Sequence, residues 1–100
     1  MRENDSSHDT QELLARCRIE IGEIDRQIIS LLRQRLDLAL KTGKLKREIG
    51  IPILDPEREA AVIRTAVEAA RVERLPEELV REIFWRILGM SRGAQQEAAT

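Results

Sequence analysis

The chain is 100 residues long, enough for one domain, and is 42% hydrophobic and 35% charged with one Trp, one Phe and no Tyr. That composition excludes a β-rich fold, because strands draw on Val, Thr and aromatics where this chain offers Leu, Ile, Ala, Glu and Arg. Seventeen Lys and Arg against eighteen Asp and Glu leave a net charge of -1, which argues against a generic polyanion-binding module. The single cysteine, Cys17, and single histidine, His8, rule out an internal disulfide and a zinc site built from them.

Helix punctuation predicts three helices. Residues 1–8 read as a flexible polar tail, residues 9–96 as one helical domain and residues 97–100 as a short C-terminal tail. Asp9 or Thr10 can cap the first helix, with Glu12 three residues after Asp9 as in a capping box. Only Gly22 and Gly43 interrupt the pattern before about Glu48, where Gly50 and Pro52 stop it. An apolar loop from Ile49 to Leu54 follows. Asp55 and Pro56 read as N-cap and first position of a second helix lasting to about Arg71. The turn from Val72 to Leu75 leads to Pro76 and a third helix, with Glu77 and Glu78 in its first turn, to about Gln96. Gly89 and Gly93 weaken that last helix, each by ~1 kcal/mol relative to Ala. No apolar run approaches the ~18 residues of a membrane span, and the polar start lacks the apolar core of a signal peptide, so no membrane association and a cytoplasmic location are expected.

The first helix carries the main architectural signal. Leu14, Cys17, Ile21, Ile24, Ile28, Leu31, Arg35, Leu38, Thr42 and Leu45 keep an alternating three-four spacing, a coiled-coil-like seam. Such a helix would be a rod of about 58 Å at 1.5 Å per residue. Two shorter helices cannot cover that seam end to end, so an all-α, intertwined six-helix homodimer is expected, with three helices per chain and a long first helix. The alternative is a monomeric bundle in which the first helix breaks near Gly22.

Several polar groups interrupt the apolar faces. Arg35 sits on the seam, and its side of the helix runs on through Ala39 and Thr42 to Lys46, so two cations flank a groove of small side chains. Either they form structural ion pairs or they hold an anion. Arg18 lies roughly 26 Å from Arg35 along the same rod and cannot reach the same small molecule within one chain. If two copies of the helix pair antiparallel about Ile29, residue 18 of one falls opposite residue 40 of the other, between Arg35 and Lys46. In the second helix, Arg58 sits in the first turn, where a cation opposes the dipole, and Glu59 heads the stripe of Val62, Ile63, Ala66, Val67 and Ala70. The two either satisfy one another as surface charges or bracket a ligand. In the third helix the stripe Val80, Phe84, Ile87, Leu88 continues into Ser91 and Gln95, which are either pocket groups or part of a solvated helix end.

Three motifs together resemble the small all-helical class of chorismate mutases, over about Glu12 to Gln96. The first is Arg18-x6-Asp25-x9-Arg35-x10-Lys46, with Gly43-Lys44 before the last cation; the second is Pro52-Ile53-Leu54-Asp55-Pro56-Glu57-Arg58-Glu59; the third is Ser91-x3-Gln95. The resemblance implies an intertwined homodimer and the rearrangement of chorismate to prephenate in Phe and Tyr biosynthesis, without metal or organic cofactor. It further implies that Arg18 of one chain and Arg35 of the other hold the two substrate carboxylates, with Arg58 and Ser91 completing those contacts. Lys46 and Gln95 would donate to the ether oxygen, and Glu59, aided by the backbone near Asp55, would accept from the substrate hydroxyl. A neutral Gln95 implies activity at neutral and higher pH, where a Glu would have to be protonated to donate.

Three rivals remain open on sequence. An isochorismate-pyruvate lyase shares the fold and basic pocket, although Glu59 suits the hydroxyl of chorismate. A non-enzymatic helical dimerisation module would leave Arg35 and Lys46 as ion-paired seam residues. A nucleic-acid patch over Lys41, Lys44, Lys46 and Arg47 lacks stacking aromatics. Trp85 is expected to pack against a neighbouring helix, and Cys17 to fill the seam.

Overall fold

Long runs of Leu, Ile, Ala, Glu and Arg, broken only by the Gly50–Pro52 and Val72–Pro76 segments, give helices and no strand among the described residues of the computed structural model, 2–100, with side chains from residue 6. The helices are α1 (Arg2–Glu48), α2 (Pro56–Val72) and α3 (Glu77–Ala99). Contacts divide the chain into two compact units, Met1–Arg33 and Gln34–Thr100.

The first unit is the N-terminal part of α1. Helix is already present at Arg2, ahead of the Asp9 or Thr10 start expected from the capping pattern, so the stretch expected as a loose tail is helical over 2–8. Met1, the first residue of that tail, lies outside the described residues. The physical reason is local. No Pro or Gly interrupts 2–8, and the Thr10 hydroxyl donates back to the Ser6 carbonyl at 2.8 Å, the i-4 bond of a helix interior instead of a cap. His8 lies 3.2 Å from Glu12 one turn on. Gly22 does not break the helix. Every described side chain of this unit is exposed except Gly22 and Leu32, which are half-buried, and the expected seam residues Leu14, Cys17, Ile21, Ile24 and Ile28 are all exposed.

In the second unit, α1 ends in a Schellman motif: the Ile51 amide donates to Lys46 O at 2.8 Å and the Gly50 amide to Arg47 O at 3.2 Å. Gly50 takes the left-handed position, φ 73°, that L side chains disfavour. Asp55 then caps α2 as expected, its Oδ1 accepting from the Arg58 amide at 3.1 Å, with Pro56 opening the helix. α2 closes on a second Schellman motif, Leu75 N to Ala70 O at 2.8 Å and Arg74 N to Arg71 O at 3.2 Å, here with Arg74 at φ 57°. α3 starts after Pro76 and continues through Gly89 and Gly93 to Ala99, a turn beyond the expected end.

α2 and α3 pack as a helical hairpin. Their core is Ile63, Val67 and Leu88, with Val62 and Phe84 against it and Ala66 and Ala70 buried on the α2 face. Each large side chain buried there contributes ~1.5–3 kcal/mol. Trp85, expected to pack on a neighbouring helix, is instead 55% exposed and lines a shallow apolar cavity with Leu54 and Ile63. No helix among the described residues is long and apolar enough to cross a membrane.

Candidate active site

The second unit holds a cavity of about 280 Å³, close to the lower end of the ~300–1,000 Å³ typical of ligand pockets and suited to a small molecule. Each helix contributes a stripe. From α1 come Arg35, Leu38, Ala39, Thr42 and Lys46, the face that helical spacing selects. The loop and the start of α2 give Ile53, Asp55, Arg58, Glu59 and Val62, and α3 gives Leu88, Ser91, Arg92 and Gln95. Seven of the eight residues expected from sequence therefore line one cavity: Arg35, Lys46, Asp55, Arg58, Glu59, Ser91 and Gln95. Arg18 is not among them; it belongs to the first unit and is exposed.

The cations of this cavity are unusual in their partners. Arg35 Nη1 donates to the neutral hydroxyl of Ser91 at 2.8 Å, and Lys46 Nζ to the Ile53 carbonyl at 3.4 Å. Among the described residues, none of Arg35, Lys46 and Arg58 takes part in an ion pair. A structural ion pair, one of the two sequence readings of Arg35 and Lys46, is therefore absent from these residues. Ser91 is buried, so its hydroxyl is a fixed acceptor that aims the Arg35 guanidinium. The surface pairing of Arg58 with Glu59 is not found either. Glu59 is instead gripped by Arg92, whose Nη2 donates to Oε1 at 2.8 Å and Nε to Oε2 at 3.0 Å. That hydrogen bond raises the pKa of the Arg92 guanidinium, keeping it charged.

Gln95 Nε2 donates to the Ala39 carbonyl at 2.6 Å, which turns the donor end of the amide toward α1. The close approach behind it depends on Gly43, which is buried: a Cβ there would stand 3.1 Å from Gln95 Cγ. Gly89 and Gly93, which weaken the helix that carries Ser91 and Gln95, have nothing within 4 Å of a built Cβ, and α3 runs unbroken through both. Sequence reasoning missed Arg92. Its signal was available, since Leu88, Ser91, Arg92 and Gln95 follow the i, i+3, i+4, i+7 spacing of one helix face.

Chemically, this arrangement lines one cavity with cations, neutral hydrogen-bonding groups and a carboxylate braced by Arg92. It can bind a small multiply charged anion and stabilise negative charge that develops on it. Among the described residues no group of three or more His, Cys, Asp or Glu could hold a metal ion.

A family model described as chorismate mutase type II matches residues 17–96. The chorismate mutase of Methanocaldococcus jannaschii is 31% identical over 86 residues, covering 86% of this chain and 87% of that one. The T-protein of Haemophilus influenzae is 34% identical over 77 residues, 77% of this chain but 20% of the T-protein, and the T-protein of Enterobacter agglomerans is spanned to 22% of its length. Among solved structures, a conserved hypothetical protein from Pyrococcus furiosus superimposes with a TM-score of 0.67 at 44% identity, over 82% of this chain and 93% of that one.

Proposed function

Because this chain belongs to the chorismate mutase type II family, we propose that it catalyses the rearrangement of chorismate to prephenate in the cytoplasm, for aromatic amino acid biosynthesis. The observation that carries this reading is the group Arg35, Lys46 and Arg58 around one small cavity, outside any ion pair among the described residues and joined there by Gln95 and Ser91. Such a group suits a compact dicarboxylate.

The reaction is unimolecular: the enolpyruvyl carbon–carbon bond forms as the ether carbon–oxygen bond breaks, with no group transferred and no electrons exchanged with a cofactor. Catalysis therefore rests on holding the reactive conformer and on stabilising the charge that grows on the ether oxygen. Arg35 takes one substrate carboxylate with its planar fork, while Arg58 and the Ser91 hydroxyl complete the contacts to the carboxylates. Lys46 and the free N–H of Gln95 donate to the ether oxygen, so their bonds strengthen as it becomes negative. Glu59 accepts from the ring hydroxyl, with the backbone near Asp55 beside it.

For the second carboxylate, the family resemblance adds a further cation to those of the cavity, Arg18 of the partner subunit. Antiparallel pairing of two copies of α1 about Ile29 brings residue 18 of one beside residue 40 of the other, between Arg35 and Lys46. The exposed apolar seam supports a partner: Leu14, Ile21, Ile24 and Ile28 are 47–57% exposed, and a lone helix in water gains little stability without packing. The proposed assembly is an intertwined six-helix homodimer with two shared pockets.

Purified protein incubated with chorismate in the presence of a chelator should consume it and accumulate prephenate. No turnover under conditions in which known mutases work contradicts the reading, and pyruvate release from isochorismate would point to the lyase instead.

A further inference from the structure

We propose that Arg92 is a positioning residue that acts through Glu59, bracing its carboxylate so that the pocket prefers a substrate carrying a ring hydroxyl over one that lacks it. The inference rests on the mutase reading and extends it to a side chain at an unspecified position of the Ser91-x3-Gln95 motif.

The geometry is specific. Glu59 opens α2 and Arg92 lies on the pocket face of α3, and both line the cavity. The guanidinium offers two parallel donors, one to each carboxylate oxygen, at 2.8 and 3.0 Å. A fork of this kind fixes the carboxylate plane as well as its position, which a single lysine contact does not. Glu59 is the more enclosed partner, its side chain 16% exposed against 33% for Arg92, so its rotamer is held from the α3 side.

An ionised carboxylate has about four acceptor sites, and the fork uses one on each oxygen. The remaining lone pairs can still accept from a hydroxyl. Arg92 also offsets the charge of Glu59. Without it, the pocket would present an uncompensated carboxylate to a substrate that is itself a dianion, and the carboxylate would be free to swing toward Arg58 or solvent. A hydroxyl-bearing substrate gains a bond from a fixed Glu59. A substrate lacking the hydroxyl gains nothing and leaves the carboxylate paired only with Arg92.

The test compares kcat/KM for chorismate and for its analogue lacking the ring hydroxyl, in the parent dimer and in Arg92→Met. Chorismate turnover should fall about tenfold, the size expected for losing a hydrogen bond to a charged group, while analogue turnover changes by less than about twofold. In a Glu59→Gln background, Arg92→Met should change chorismate turnover by less than about twofold, because the residue it acts through is gone. Arg92→Lys, which keeps the charge and loses the fork, should retain part of the discrimination, and serves if Arg92→Met fails to fold by circular dichroism. Equal losses on both substrates, or full additivity with Glu59→Gln, overturn the inference while leaving the mutase reading intact. A parent that turns over no chorismate overturns both.

Discussion

The amide of Gln95 has two N–H groups, and the Ala39 carbonyl engages Nε2 at 2.6 Å. A carboxylate at the same position has no proton to offer until it is neutralised. Gln95→Glu should therefore keep activity only at acidic pH and lose it as the new carboxyl ionises, from an ordinary value near ~4.3 upward. The parent rate should stay flat through neutral and mildly basic pH, as a kcat profile would show. Gly43 sets the same donor from behind. Gly43→Ala brings a methyl to 3.1 Å from Gln95 Cγ, and the resulting shift should lower kcat on the order of tenfold with the far-ultraviolet spectrum unchanged. Arg35, Lys46, Glu59, Ser91 and Gln95 were legible in the sequence because each is a polar group where helical spacing calls for an apolar one. Arg92 shares that spacing, but its role was not legible, because its partner Glu59 lies on another helix.

At the scale of elements, both ends of the α1–α2 connection were legible. Gly50 and Pro52 stop one helix, and Asp55 with Pro56 starts the next; these signals act locally and need no tertiary information. The beginning of α1 was not legible, since a cap-forming side chain such as Thr10 can equally bond within a helix that continues past it. The ends of α1 and α2 use the same Schellman hydrogen bonds with different residues at the left-handed position. Gly50 fits there, at φ 73°, whereas Arg74, at φ 57°, carries a Cβ into a region that disfavours it. Arg74→Gly should consequently raise stability by up to ~1 kcal/mol and Gly50→Ala lower it by about as much. Thermal unfolding of the two variants gives both signs in one comparison.

At the scale of the whole molecule, the proposed homodimer rests on the sequence pattern of α1 and on the exposure of its seam. Among the described residues the core cluster of the α2–α3 hairpin holds three large buried side chains, Ile63, Val67 and Leu88, and further apolar burial would add to its stability. In the proposed homodimer, pairing through α1 would add burial and bring Arg18 of the partner subunit to a cavity whose lining does not include it. Stability and activity should thus depend together on protein concentration, with activity per chain falling on dilution as dimers dissociate. What the sequence could not supply was the register of pairing, because a long heptad seam permits more than one offset.

The most direct test of a catalytic pocket shared between chains uses two crippled variants. Arg18→Ala and Lys46→Ala homodimers should each lose more than about a hundredfold in chorismate turnover, as expected on removing a fixed charge from a pocket of this kind. Unfolded, mixed in equal amounts and refolded, they form half heterodimers, each with one intact pocket of two, so about a quarter of the parental activity should return. Mixed protein as inactive as either variant alone would contradict the account.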